Sequence, residues 1–253
     1  MKLLVQLFIV IIPVLSHGQQ TKKITKITDE LNEEKEVYYV LSSDTNVRHG
    51  SYKQIKYKKD ILISGFYKMG VKDSIWSEYD WRGTKNGRCK IRCSGNYSNG
   101  KKIGIWKFYN YNGEIVQEYD YDSNKIISSI EKKTEEESVV IMNNDTIKIK
   151  LDTPVSFIGA SVMKNHYFFE NLKYPNSALE KGLNGKVIVT FYVNQNGIAS
   201  GHFIKDKIGN GFDEAAINAV KQIPNDWIPG TVNDKTVTVQ VDMPVNFKLT
   251  YAH

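Results

Sequence analysis

Two pairs of residues in this chain have side-chain types and spacing that could do chemistry. Cys89 and Cys93 are the only cysteines, and such a pair can form a disulfide or bind a metal. Along an extended strand their four-residue spacing separates them by about 13 Å, so a disulfide requires a turn between them. Asp206 and Asp213 flank the Gly209-Asn210-Gly211 turn and could form an acid–base pair. No nucleophile, base and acid set accompanies either pair.

The histidines do not support a catalytic or metal-binding interpretation. His166, His202 and His253 are scattered without metal-ligand spacing, and His49 beside Gly50 is typical of a turn. The glycine turn at 209–211 also lacks the rest of a phosphate-binding loop. We therefore predict no enzyme, no metal and no cofactor.

The chemistry that the sequence does offer is backbone hydrogen bonding along its last strand. Apolar residues alternate strictly with polar ones there: Val237, Val239, Val241, Met243, Val245, Phe247 and Leu249. Pro244 cannot donate a ladder hydrogen bond, so the pattern predicts a strand at a sheet edge or a bulge. An edge strand presents unpaired backbone groups to an incoming peptide. The alternative is that the chain's own C-terminus or a second copy covers this edge.

Shorter elements upstream would position this strand. A helix is predicted to begin at Pro175 and to end at Gly182. A hairpin follows, in which the Asn194–Gly197 turn joins the strands 186–193 and 198–205. A second helix is predicted by the apolar stripe from Phe212 to Ile223 and is stopped by Pro224.

The same region carries an ordered series of short motifs. They are Pro154-Val-Ser-Phe157-Ile-Gly159, Phe169-Glu-Asn171-Leu-Lys-Tyr174-Pro175, Gly182-x-x-Gly185-Lys-Val187, Trp227-Ile-Pro-Gly230 and Pro244-Val-Asn-Phe247. Their order over residues 154–249 resembles the C-terminal domain of TonB-type energy transducers. Ala160 departs from the second Gly of the family's Pro-x-Phe-x-Gly-Gly approach. The resemblance implies an α+β fold, an antiparallel sheet with two helices.

The resemblance also implies a binding site. In that family the last strand pairs with a short segment of an outer-membrane transporter, and residues near the Tyr-Pro start touch the segment too. Carried over to this chain, the partner-peptide-binding residues are Tyr174, Pro175, Thr236, Val237, Thr238, Val239, Gln240, Val241 and Asp242. The partner would be a TonB-dependent outer-membrane transporter or another envelope protein.

An internal repeat occupies roughly residues 48–125. A set of Gly, Tyr and Trp positions recurs at an offset of thirty residues: Gly65-Phe66-Tyr67, Gly70, Trp76, Tyr79, Trp81 and Gly83 return as Gly95-Asn96-Tyr97, Gly100, Trp106, Tyr109, Tyr111 and Gly113. A weaker copy begins at Gly50. Glycine suits turns and aromatic residues suit one strand face, so the repeat predicts stacked β-hairpins. It resembles MORN-type repeats, although Ser74 stands where the second copy has Gly104.

A charged stretch, residues 128–138, separates the repeat from the C-terminal motifs and is the predicted boundary. Beyond it, Val139–Met142 and Thr146–Lys150 flank Asn143-Asn144-Asp145. These turn residues predict a hairpin. The sequence does not indicate whether that hairpin packs on the repeat or on the C-terminal region.

The N-terminus indicates export. Met1-Lys2 precedes an apolar run of about thirteen residues that ends at Leu15, short of the roughly 20 residues that cross a bilayer as a helix. Small residues at Ser16 and Gly18 fit a signal-peptidase site. The net charge is +6, and no Arg/Lys stripe with interleaved aromatic residues predicts a nucleic-acid site.

We therefore predict five segments: a signal peptide (1–18), an N-terminal lead-in (19–47), a MORN-like β-repeat module (48–127), a linker with the possible hairpin (128–153) and a TonB-like domain (154–253). Within the lead-in, residues 19–36 are predicted to be flexible or to form a short helix over Ile24-Ile27-Leu31, and Val37–Leu41 is a strand-like run. The predicted protein lies in the periplasm or cell envelope and binds a partner by strand addition, in connection with outer-membrane transport. Two alternatives stay open. Residues 1–18 could remain as an inner-membrane anchor of an energy transducer, or the protein could be a structural, cell-wall-associated module.

Overall fold

The structure, a computed structural model, describes residues 19–31, 33–57, 59–80, 90–131, 136–142 and 145–249. Several predicted features lie outside these residues: the signal peptide at 1–18, Trp81, Gly83, Cys89, His253 and the turn residues Asn143-Asn144. Cys93 is described, and it is a free, buried thiol.

The N-terminal part is a nine-stranded antiparallel sheet in which each strand pairs with the next one along the chain. Its strands are β1 (Thr21–Asp29), β2 (Glu34–Leu41), β3 (Arg48–Lys56), β4 (Asp60–Lys68), β5 (Val71–Asp80), β6 (Lys90–Ser98), β7 (Lys101–Tyr109), β8 (Ile115–Asp120) and β9 (Lys125–Ser129). The region is therefore a series of consecutive hairpins, as the repeat predicts.

The strand-like run predicted at Val37–Leu41 lies in β2, but flexibility was wrongly expected for residues 19–36 of the lead-in (19–47). Strands β1 and β2 fill most of that segment and extend the sheet, with pairing from Thr21↔Leu41 to Asp29↔Glu34. The side chains of β1 are mostly exposed and polar, so the strand carries no apolar pattern. Its place is fixed by backbone hydrogen bonds to β2, which an exposed edge strand forms without burying side chains.

The thirty-residue offset is kept in the backbone as well as in the sequence. The turns Met69-Gly70 and Asn99-Gly100 have φ values of 50° and 85° in the first copy and 49° and 80° in the second. Two positive φ values in succession are typical of a type I′ hairpin turn. Ser74 has φ 59° where Gly104 has φ 58°. The departure of Ser74 from the repeat pattern thus leaves the geometry unchanged.

Each repeat packs its Trp on the Gly of the preceding strand. A Cβ atom added to Gly65 would lie 2.2 Å from the ring of Trp76, and one added to Gly95 would lie 2.3 Å from that of Trp106. In both copies the indole Nε1 donates to the carbonyl of the residue after that Gly, at 3.1 Å. These glycines are needed because the indole rings occupy the space of a side chain.

The C-terminal part combines a six-stranded antiparallel sheet, a two-stranded sheet and helices. Its elements are β10 (Ser138–Met142), β11 (Asp145–Ile149), β12 (Ser156–Phe157), α1 (Ala160–Asn171), α2 (Asn176–Glu180), β13 (Gly185–Val193), β14 (Ala199–Ile204), α3 (Phe212–Lys221), β15 (Trp227–Ile228), β16 (Gly230–Val232) and β17 (Lys235–Phe247). The larger sheet has the order β11-β10-β17-β13-β14, and β16 also pairs with β17. This confirms the α+β fold class.

Helix α1 corrects the prediction of two helices, because the described residues contain three. The two predicted helices are α2 and α3. The N-cap residue before α1 is Gly159, which has the left-handed conformation (φ 89°) and provides no side-chain cap. The Ser, Thr, Asp or Asn residue that usually marks a helix start is therefore missing from the sequence.

The two regions share one hydrophobic core. Trp106 and Phe108 of the N-terminal sheet belong to the same buried cluster as Met163 and Phe168 of α1. We call the contact between β8 and the segment 157–159 the joint between the two regions. There the side chain of Gln117 is 0% exposed. Its Nε2 donates to the carbonyl of Phe157 at 3.1 Å, and its Oε1 accepts from the N–H of Gly159 at 2.6 Å. The charged stretch at 128–138 therefore separates two sequence patterns, but the hydrophobic core is continuous between the two regions.

A polar contact reinforces this joint. Arg92 of β6 binds Glu78 of β5 at 2.8 Å and lies 3.0 Å from Nδ1 of His166 on α1. Burial raises the pKa of the Glu78 carboxyl, but Arg92, Lys102 and Lys72 together lower it more strongly, so the net pKa lies below the ordinary value.

Candidate functional site

Strand β17 contains most of the residues that the sequence singles out for binding. Val237, Val239, Met243, Val245 and Phe247 are buried, and alternate residues on the other face are partly or fully exposed. The predicted alternation is confirmed. One edge of β17 pairs with β13 from Val193↔Val239 to Gly185↔Phe247. We call the opposite edge the outer edge.

The outer edge has a different environment in its two halves. At its N-terminal half, β10 pairs with β17 through Ile141↔Thr238 and Val140↔Val239, while β16 pairs with residues 235–237. Among the described residues, β13 alone pairs with β17 between Asp242 and Phe247. Within the part of the chain that the structure describes, the outer edge is thus covered at Thr238 and Val239 and open from Asp242 onward.

This arrangement corrects the prediction of an edge strand. Strand β17 lies inside the sheet, between β10 and β13, because the hairpin that the sequence left unassigned packs against it. The rule about proline holds locally, since Pro244 lies where only β13 pairs with the strand. Asp242 and Asn246, two residues on either side, present their backbone groups to the same edge as Pro244.

Tyr174 and Pro175 do not join the other predicted residues in one site. The Tyr174 ring packs edge-on against Phe247, with centroids 5.6 Å apart, and its hydroxyl donates to the carbonyl of Leu183. Pro175 packs against Gly211. Phe247 lies five residues beyond Asp242, about 17 Å along an extended strand. In this structure Tyr174 packs on the far end of β17, whereas Pro175 lies against the turn before α3.

A groove of about 320 Å³ lies where β10 stops covering the outer edge. Gln240, Val241 and Asp242 form one wall, and Glu131 and Lys164 lie among the residues of the others. Burial lowers the pKa of Lys164, and the nearby carboxylate of Glu131 opposes that shift. The sequence contained no signal for this groove, because its walls come from a linker, a helix and a strand that meet only in the fold.

The exposed face of β17 carries a small polar network centred on Asp242. Its Oδ1 accepts from the hydroxyl of Thr190 at 2.7 Å, and its Oδ2 lies 3.7 Å from Nζ of Lys205. These contacts leave the backbone of Asp242 free to pair, since they involve the side chain alone.

Asp213, one of the two acidic residues considered for catalysis, has a structural role. Asp213 accepts the backbone N–H groups of Ile208 and Gly209, at 3.1 and 2.8 Å, so it orders the turn before α3. His202 stacks on Phe191, and burial lowers the pKa of its imidazole. Among the described residues, no three His, Cys, Asp or Glu side chains are placed to hold a metal ion.

One comparison with known proteins identifies the C-terminal region. Residues 170–249 match the family model of the Gram-negative bacterial TonB protein C-terminal domain. Neither a curated protein nor a solved structure matches the chain. The match and the α+β fold together indicate that residues 170–249 form a TonB-like C-terminal domain. Within the described ranges, no helix has the length and apolar character needed to span a bilayer.

Proposed function

We propose that this protein is exported and holds a partner protein in the envelope by strand addition to the outer edge of β17. The partner is a TonB-dependent outer-membrane transporter that offers a short extended segment. The observation that carries this proposal is the open outer edge between Asp242 and Phe247, in the stretch that matches the TonB C-terminal family.

The open edge has the properties that strand addition requires. Backbone N–H and C=O groups supply the affinity in this binding mode, and pockets for alternate side chains supply the specificity. Asp242 and Asn246 are exposed. Their backbone N–H and C=O groups point to the outer edge, which is the edge that the backbone of Pro244 also faces. The groove beside Gln240–Asp242 offers room for one side chain of the incoming segment.

The N-terminal sheet would act as a rigid support that recognises or spaces a second partner. Its core continues into α1, so the sheet and the binding domain move together. The likeness of residues 48–125 to MORN-type repeats and the five-segment division of the chain remain predictions.

A capture experiment tests the proposal. Synthetic peptides from transporter N-termini are immobilised and incubated with the mature chain, with Asn246→Pro and with Asn246→Ala. Pro removes one outward N–H from the open edge, whereas Ala keeps it. Loss of one backbone hydrogen bond should weaken capture about fivefold in the Pro variant only.

Two results would redirect the proposal. If no transporter peptide is captured and the chain is instead retained on peptidoglycan, a cell-wall-associated role replaces it. N-terminal sequencing of the exported protein decides how the chain is held in the envelope. A start at Gln19 or Gln20 means that no anchor remains, whereas an intact N-terminus supports a membrane-anchored transducer.

A further inference from the structure

The hairpin β10–β11 lies on the candidate docking edge. Strand β10 pairs with β11 along its whole length, from Ser138↔Ile149 to Met142↔Asp145. Among the described residues, its other edge pairs with β17 at Thr238 and Val239 only. A segment of this chain therefore already makes the kind of contact that an incoming strand would make.

The hairpin is held by a small hydrophobic cluster that is separate from the main core. Val140 is 0% exposed and packs with Leu151, Val232, Val237 and Val239. Strand β11, the outer strand of the hairpin, is mostly exposed. Because the contact with β17 is short and only one side of the hairpin is buried, β10 can leave without opening the main core.

We propose that β10 is a resident strand that a partner segment displaces from β17. The partner segment is extended and carries a branched aliphatic side chain where Val140 now lies, because that position faces only aliphatic neighbours. The next position of the partner segment can carry a polar side chain. Ile141, which now lies there, and Thr238, which lies opposite it, are only partly buried. This inference rests on the proposed function for the identity of the partner.

Displacement has a consequence for affinity. A tethered strand competes with an effective concentration in the range of about 1 mM. A partner segment short enough for residues 242–247 would bind without this competition. A longer segment, reaching Thr238, would have to release β10 first.

The test uses the resident strand itself as the probe. A fluorescein-labelled peptide with the sequence of residues 136–142 is titrated into the full mature chain, with fluorescence anisotropy as the readout. The matched control peptide has Lys in place of Val140. A chain with Ile141→Cys and Thr238→Cys, in a Cys89→Ser background, is measured oxidised and then reduced. These two positions lie directly opposite each other, at a spacing close to that of a disulfide.

The expected result is binding to the reduced chain, at least tenfold weaker binding to the oxidised chain, and no binding of the control peptide. A chain with Val140→Lys, which expels its own β10, should bind the probe at least tenfold more tightly than the natural chain. Equal binding to the oxidised and reduced forms would overturn the inference. So would a Val140→Lys chain that keeps its far-ultraviolet circular dichroism and does not bind the probe.

The two proposals fail in different ways. If the probe binds as expected and transporter peptides do not, the result supports β10 as a displaceable strand and contradicts the transporter function. If transporter peptides bind the oxidised and reduced chains equally well, the result supports the transporter function and contradicts the displacement of β10.

Discussion

The two sheets of this protein are assembled in opposite ways. In the N-terminal sheet every strand pairs with its neighbour in the chain, so each strand finds its partners close by in the sequence. In the C-terminal sheet β17 pairs with β13 and with Val140, which lies 99 residues before its partner Val239. A strand that pairs with its neighbours in the chain has few other strands to pair with. A strand that pairs with a distant segment can exchange that segment for another one at the same edge. We infer that the first sheet provides support and that the second provides binding.

The largest predicted effect tests whether the support is part of the same folding unit as the binding domain. Trp106→Ala removes a ring that is 1% exposed in the shared core. We expect the free energy of unfolding to fall by about 4 kcal/mol. Urea unfolding followed by fluorescence and by circular dichroism should show one coincident transition.

The neighbouring residue gives the control for this change. Ile105 is 48% exposed, and Ile105→Ala should lower the free energy of unfolding by less than about 1 kcal/mol. If Trp106→Ala unfolds the N-terminal sheet while β13 and β17 keep their native amide spectra, the two sheets are independent and the comparison loses its basis.

The next effect concerns the joint between the two regions. Gln117→Leu keeps most of the volume and leaves the carbonyl of Phe157 and the N–H of Gly159 without their partner. We expect a loss of about 3 kcal/mol, because two buried backbone groups become unsatisfied. Hydrogen exchange should accelerate at residues 157–159. Gln195→Leu, at an exposed turn position, should leave both the stability and the exchange unchanged.

The contrast between the sheets also explains what the sequence could predict. Helices α2 and α3, the β13–β14 hairpin and the alternation of β17 follow from patterns within some ten residues, and the hairpin series follows from the thirty-residue repeat. Strand β1 was missed because an exposed strand needs no apolar pattern, and α1 because Gly159 replaces a capping side chain. In each case the deciding interaction lies outside the local sequence.

The site was predictable in part for the same reason. The alternation of Val237 to Phe247 predicts which face of β17 is buried, and Pro244 predicts where its edge is open. Which element covers Thr238 and Val239 depends on a contact with Val140 that no spacing in the sequence encodes. The residues of the groove, Glu131 and Lys164, are brought to β17 only by the fold.

A smaller, pH-dependent effect sharpens the role of the polar contact at the joint. Glu78→Gln removes the charge that binds Arg92 at 2.8 Å, and should lower the free energy of unfolding by about 2 kcal/mol at pH 7. The folded pKa of Glu78 lies below its ordinary value of 4.5. The carboxylate therefore contributes fully above that value, and the contribution is lost as the pH falls below it towards the folded pKa.

The measurement is the difference in unfolding free energy between the natural chain and the variant across pH 3 to 7, roughly the range in which carboxyl groups titrate. The difference should shrink as the pH falls. Glu180→Gln, at an exposed position of α2, should show no such trend. A constant difference for Glu78→Gln would mean that packing around the side chain, and not its charge, stabilises the joint.

The smallest effect on global stability is expected at the binding edge. Val140→Ala removes two methyl groups from the small cluster that holds β10, and should lower the global free energy of unfolding by less than about 1 kcal/mol, because the hairpin opens before the main core. Hydrogen exchange at Thr238 and within β10 should nevertheless accelerate several-fold. Val189→Ala is the matched control: Val189 is equally buried but belongs to the main core, so its loss should lower the global value by about 2 kcal/mol. Equal global losses for the two variants would mean that the hairpin folds as part of the domain, and that the edge of β17 is as fixed as the strands of the N-terminal sheet.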